Sequence, residues 1–131
     1  ENDDKASMYS VKDLYYGIYK QCGVPIVFDY HHHRFCDGGM SEQEALEMAI
    51  STWPKDITPV VHYSESRSTE QLDESIRPQA HSDYVYDYID NYGNDIDVMI
   101  EAKHKELAVD KYKSIHLVDH YNDIPSPRAY I

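Results

Sequence analysis

Apolar residues fall into three short unbroken runs, and between the runs they recur at helical spacing. The runs are Val24-Pro25-Ile26-Val27-Phe28-Asp29, Thr58-Pro59-Val60-Val61-His62-Tyr63 and Ile96-Asp97-Val98-Met99-Ile100-Glu101. Continuous apolarity, as opposed to strict alternation, suits strands covered on both faces, as in a parallel sheet. Ser10 is placed to cap a helix carrying Val11, Leu14, Tyr15 and Ile18 that ends near Gly23. Ser41 and Glu44 form a Ser-x-x-Glu capping box ahead of Ala45, Leu46, Met48, Ala49 and Ile50. A third helix is predicted over Tyr84 to Tyr92, with Tyr84, Val85, Tyr88 and Ile89 on one side and Gly93 as its stop. A fourth is predicted over Lys103 to Ile115, with Leu107, Ala108 and Tyr112 inward.

The order is therefore β-α-β-α-β-α, which belongs to an α/β fold with right-handed crossovers. Three strands cannot close a barrel, and the chain opens at Glu1 with neither an initiator Met nor a leading strand. The expected architecture is a partial TIM (β/α) barrel, roughly its last three to four βα units. Residues 1–118 form the barrel portion, and 119–131 form a polar, Pro-containing, loosely ordered tail. A free-standing three-stranded sheet would leave both edges and much of each face uncovered.

Composition narrows the setting. With 131 residues, 41% apolar and 27% charged, the chain suits one domain with a modest core. No stretch approaches the length of a membrane span, and no charged-then-apolar leader opens the chain. Cys22 and Cys36 make neither a disulfide framework nor a zinc pair, which favours reduced thiols and an intracellular location, in cytoplasm or nucleoid, or in a nucleus. The formal net charge of −12 argues against unaided binding to a phosphate backbone. Eight histidines among many acidic residues, however, are what divalent metals need, and bound cations would reverse the local charge.

Each run ends in a residue able to ligate metal: Asp29, His62 and Glu101. Glu1 stands where a preceding strand would end. In (β/α) barrels the C-terminal strand ends carry the active site, so four such residues at successive strand ends form a constellation that none makes alone. After Asp29 comes Tyr30-His31-His32-His33. A single histidine after a strand is usually a surface or capping residue. Three in a row beside an aspartate, away from either terminus, point instead to a site for zinc, manganese or iron. His81, in Gln79-Ala80-His81-Ser82-Asp83, is on its own an ordinary structural histidine before a helix start. Glu101 would be strongly desolvated without a cation, which Lys103 in an ion pair or a bound metal could supply. No nucleophilic triad or phosphate-binding glycine fingerprint is evident, and Gly38-Gly39 reads as a turn. Most of the tyrosines fall in predicted helices; Tyr30 and Tyr63, next to ligand-type residues, are the ones placed to meet a substrate, though a structural role is slightly favoured for these as well.

Glu1-Asn2-Asp3-Asp4-Lys5, Val24 to His32, Val61-His62-Tyr63-Ser64, Ala80-His81 and Asp97-Val98-Met99-Ile100-Glu101-Ala102-Lys103 resemble, in order and spacing, the second half of the UV damage endonuclease family, related in fold to endonuclease IV. The resemblance runs from residue 1 to about residue 108. It implies a TIM-type barrel holding up to three divalent ions, Mn2+ first, with Zn2+ or Mg2+ as alternatives. It implies that Glu1 bridges two metals, that Asp29, His62 and Glu101 complete the sphere of one, and that His32 and His81 hold a further one. Two more histidine ligands and most damage-probing residues would come from an N-terminal half, the implied partner. The implied substrate is damaged double-stranded DNA, cut on the 5′ side of a UV photoproduct, with Glu1 catalytic. Lys103 is a second candidate catalytic residue, either supporting a ligand or contacting phosphate. One position departs from the family: Val60 stands where a lysine often precedes the strand histidine by two.

Two other readings share part of this pattern. A sugar isomerase or epimerase barrel uses the same Glu, Asp, His, Glu order for a small polyol. An inactive metal-binding remnant would keep the ligands without the reaction.

Overall fold

The computed structural model describes residues 1–117 and 128–130. The chain divides into two compact units, Glu1–His62 and Tyr63–Ile131. Its strands are β1 (Phe28–Asp29), β2 (Val60–Tyr63), β3 (Asp97–Ile100) and β4 (Arg128–Tyr130). β1 pairs with β2, and β3 with β4, both in parallel. The α/β class with a parallel sheet is thus as the apolar runs predict.

In the first unit, helical backbone runs from Val11 to Cys22 as α1 (Val11–Leu14), a π-helical segment (Tyr15–Tyr19) and α2 (Lys20–Cys22). Ser10 caps it through a reciprocal box with Asp13, and Gly23 closes it at φ 72°, the left-handed conformation glycine adopts without strain. β1 leads into a single helical turn, α3 (Tyr30–His33), and then to α4 (Glu42–Ile50). The Ser41–Glu44 box caps α4 as expected, Glu44 N–H donating to Ser41 Oγ at 3.1 Å and Ser41 N–H to Glu44 Oε1 at 3.0 Å. Ile26, Phe28, Tyr30, Ala45, Leu46, Ala49 and Val61 are buried and make the core of this unit.

β1 is shorter than its apolar run. Val24 is 52% exposed, and Ile26 hands its backbone groups to side chains beyond α4. Its N–H donates to Thr52 Oγ1 at 2.8 Å, and its carbonyl accepts from Trp53 Nε1 at 2.8 Å. These bonds satisfy the polar groups that a longer strand would have paired.

The second unit contains α5 (Arg67–Gln71), β3, α6 (Glu106–His116) and β4. Val85, Ile89, Ile96, Val98, Ile100, Ala108, Val109 and Tyr112 are buried. The helix predicted over Tyr84 to Tyr92 does not form. Its amides are taken elsewhere: Tyr84 N–H by Glu70, Tyr86 and Asp87 N–H by Glu65, and Ile89 N–H by the Tyr112 hydroxyl. Carboxylates from 14 to 22 residues away outcompete the local i to i+4 ladder, which no sequence window reveals. In the stretch read as a tail, Arg128–Tyr130 forms β4, with Asp97, Val98 and Met99 in register with residues 128, 129 and 130. Residues 119–127 and 131 of that predicted tail lie outside the described residues.

Candidate metal centre

Parallel register brings the first two candidates level. Asp29, the last residue of β1, and His62, next to last in β2, are Cα partners. Glu1 reaches them because its neighbour Asn2 is built into the edge of β1. Fully buried, Asn2 accepts from Asp29 N–H at 2.8 Å and donates to Asp29 C=O at 3.0 Å, as an adjoining strand would. Glu1, Asp29 and His62 each then offer a ligand atom within 4.8 Å of the others. Glu1 Oε2 lies 2.7 Å from His62 Nδ1, while its Oε1 is 4.0 Å from His32 Nδ1. The hydrogen bond with His62 holds the Glu1 carboxyl below its ordinary range, against the opposing effect of partial burial.

The three histidines after Asp29 separate because a helical turn rotates successive side chains by about 100°. Asp29 Oδ1 caps that turn, accepting His32 N–H at 2.9 Å. His32 faces the cluster: its Nδ1 donates to the Asn2 carbonyl at 2.7 Å and stands 3.7 Å from Asp29 Oδ2. A backbone carbonyl on Nδ1 leaves Nε2 as the basic nitrogen, the arrangement common in metal-bound histidines. His31 and His33 go to the core, His31 edge-on to Phe35 at 5.1 Å and His33 tilted against Phe28 at 5.5 Å. Burial pushes the His33 imidazole below its usual basicity.

The remaining candidates belong to the second unit. Glu101 is half-buried directly after β3, and its N–H donates to the carbonyl of Tyr63 at 2.9 Å. Tyr63 is covalently next to His62. His81 is half-buried and forms an isolated antiparallel bridge with Ser66. Lys103 is exposed, its N–H bound to the Ser82 carbonyl at 2.9 Å. Val60 and His62 lie two apart on β2 and share a face, so the aliphatic side chain falls on the face that carries the histidine.

The structural reading of two tyrosines is the one that holds. Tyr30 is 1% exposed and packed edge-on to Phe28, and Tyr63 is 3% exposed with its hydroxyl on Glu65 at 2.8 Å. Both are structural. Sequence reasoning also missed Asn2, Glu65 and Glu70. Asn2 stands inside the Glu-Asn-Asp-Asp opening, but its role depends on a partner 27 residues away.

The chemistry of the donor set, two carboxylates and an imidazole converging where one carboxylate is fully buried, fits a divalent transition metal. No helix among the described residues is long and apolar enough to cross a membrane.

The chain is similar to proteins already known. The family model described as UV-endonuclease UvdE matches residues 1–128. The UV-damage endonuclease of Schizosaccharomyces pombe is 37% identical over 115 residues, covering 83% of this chain and 18% of that protein. The UV DNA damage endonuclease of Bacillus mycoides is 33% identical over 120 residues, covering 83% of this chain and 34% of that protein. The crystal structure of SacUVDE superimposes with a TM-score of 0.64 at 30% identity, over 86% of this chain and 38% of that one. The chain thus spans about a third or less of the length of these curated relatives. Matched along nearly all of its length, it belongs to the UV-endonuclease UvdE family.

Proposed function

We propose that this chain is the C-terminal, metal-holding portion of a (β/α)-barrel DNA repair endonuclease that works inside the cell. It hydrolyses the phosphodiester on the 5′ side of UV photoproducts and related lesions. The observation that carries the reading is the convergence of Glu1, Asp29 and His62 within 4.8 Å at adjoining strand ends. Chemically the trio suits manganese, with zinc or magnesium as alternatives.

Glu101 is the proposed fourth ligand, supported by its backbone bond to the residue following His62. Glu1 is the proposed bridging ligand. Its two oxygens face different histidines, His62 and His32, which supports that role. His32 and His81 are assigned to a further ion, and two additional histidines to an N-terminal half. When bound, divalent ions supply positive charge to a phosphoryl oxygen and a neutral-pH source of hydroxide. Asn2 holds Glu1 in place, and the Asp29 carboxylate orients the turn that presents His32. Lys103, exposed two residues after Glu101, is proposed to contact a substrate phosphate. Bound cations also answer the net charge of −12, which by itself repels DNA.

The test is nicking of supercoiled plasmid in Mn2+, with and without prior UV irradiation, by this chain coexpressed with an N-terminal half from the family. Nicking confined to irradiated plasmid is expected, with little from residues 1–131 alone. Equal nicking of both plasmids would sink the proposal, as would turnover of a ketose with no nicking.

A further inference from the structure

The stretch from His81 to Tyr92 has almost no regular secondary structure, yet its position is tightly prescribed. Glu70, near the end of α5, accepts from Asp83 N–H at 2.8 Å, Tyr84 N–H at 3.0 Å and the Tyr86 hydroxyl at 2.8 Å. Gln71 Nε2 adds a fourth bond at 2.8 Å. Arg67, at the start of α5, is ion-paired with Asp83. On either side of His81, Arg67 N–H donates to Ala80 C=O at 2.8 Å, and Ser82 N–H donates to Glu65 C=O at 2.9 Å. The same loop then receives the next chain segment: Ser82 and Asp83 carbonyls accept from Lys103 and His104 N–H at 2.9 and 3.1 Å.

We propose that Glu70 is a positioning residue for His81, gathering the amides two and three residues past it and so fixing where its imidazole stands for metal. This rests on the reading of His81 as a ligand. The Ser66–His81 bridge holds the backbone on both sides of His81. Beyond it, Glu70 acts with the Arg67–Asp83 ion pair and the Lys103 and His104 amides to set the course of the chain, and metal ligands tolerate displacement of only about 0.5 Å. A carboxylate binding two successive amides is a short, charge-assisted clamp that allows little rotation. Burial alone would raise the Glu70 carboxyl, but its four donors outweigh that and bring it down to about 2, so the clamp is charged at neutral pH.

The measurement is Mn2+ affinity of the purified protein by calorimetric titration, for wild type, His81→Ala, Glu70→Gln, Glu70→Asp and Ser41→Ala. Ser41→Ala removes a helix cap in the other unit and serves as a control for simple loss of stability. His81→Ala should abolish one class of Mn2+ site. Glu70→Gln should weaken the same class by about tenfold and leave the others unchanged, as loss of a ligand's support does. Glu70→Asp should recover part of that loss, and Ser41→Ala should bind as wild type. If His81→Ala weakens binding and Glu70→Gln does not, the role of Glu70 is overturned while the His81 reading stands. If His81→Ala binds Mn2+ as wild type does, both fall. Equal weakening of every site by Glu70→Gln, or by Ser41→Ala, would reduce Glu70 to a general structural residue and overturn the proposal.

Discussion

Asn2 engages both polar groups of the Asp29 peptide, accepting from its N–H at 2.8 Å and donating to its carbonyl at 3.0 Å. One amide side chain thereby stands in for a sheet neighbour and brings Glu1 beside Asp29 and His62, the proposed metal centre. Asn2→Ala leaves a buried donor and acceptor unmatched, at a cost of about 1–3 kcal/mol. It should also weaken Mn2+ binding, because Glu1 loses its anchor. Denaturant unfolding and Mn2+ titration check both halves; unaltered Mn2+ affinity would remove Asn2 from the site.

Asp29 is fully buried, so its charge is costly unless a cation shares the site. Asp29→Asn keeps an oxygen for His32 N–H and removes that charge. In metal-free buffer the variant should be as stable as wild type, or more stable by about 1 kcal/mol. Wild type should gain about 2.7 kcal/mol at a hundredfold excess of Mn2+ over its Kd, and the variant should gain almost none. Thermal melts with and without Mn2+ decide it; equal metal-induced shifts would place the ion elsewhere.

The consecutive histidines should part ways on substitution. His31→Ala and His33→Ala empty buried aromatic contacts and should cost about 1–3 kcal/mol, with little change in metal affinity. His32→Ala should cost about 1 kcal/mol through its bond to Asn2 but lower Mn2+ affinity. The reverse pattern would mean that the ligand within the run has been misassigned.

Glu70 links folding to pH. Its folded pKa of about 2 lies below the ordinary value of 4.5, so folding is favoured by the charged form. Its contribution is complete above pH 4.5 and is lost as pH falls toward 2. Wild type should therefore lose stability faster than Glu70→Gln between pH 5 and 2, measured by unfolding at a series of pH values. Parallel curves would show that the carboxylate is not clamped in solution.

Helix caps and strand ends were legible because they depend on neighbours in the chain. The Ser41–Glu44 box and the left-handed Gly23 are local decisions, and both stand as read. Asp29, His62 and Glu101 were findable because each lies at or next to the end of an apolar run, and the parallel register of β1 and β2 sets Asp29 level with His62. Which of three adjacent histidines faces Asp29 was not legible. A strand would have alternated them, whereas the turn capped by Asp29 rotates them, and that choice was made by packing around Phe28 and Phe35.

The amino-acid order alone thus determined the α/β class, the residue types able to hold metal and the strand ends that bear them. Tertiary structure decided that Tyr84 to Tyr92 would be a loop, that Tyr30 and Tyr63 would be buried, and that Asn2 would seat Glu1. The reason is one of range. Periodicity and capping act over one or two turns, while a buried amide or carboxylate takes the best donor that folding brings to it, here 27 residues away for Asn2 and 13 for Glu70.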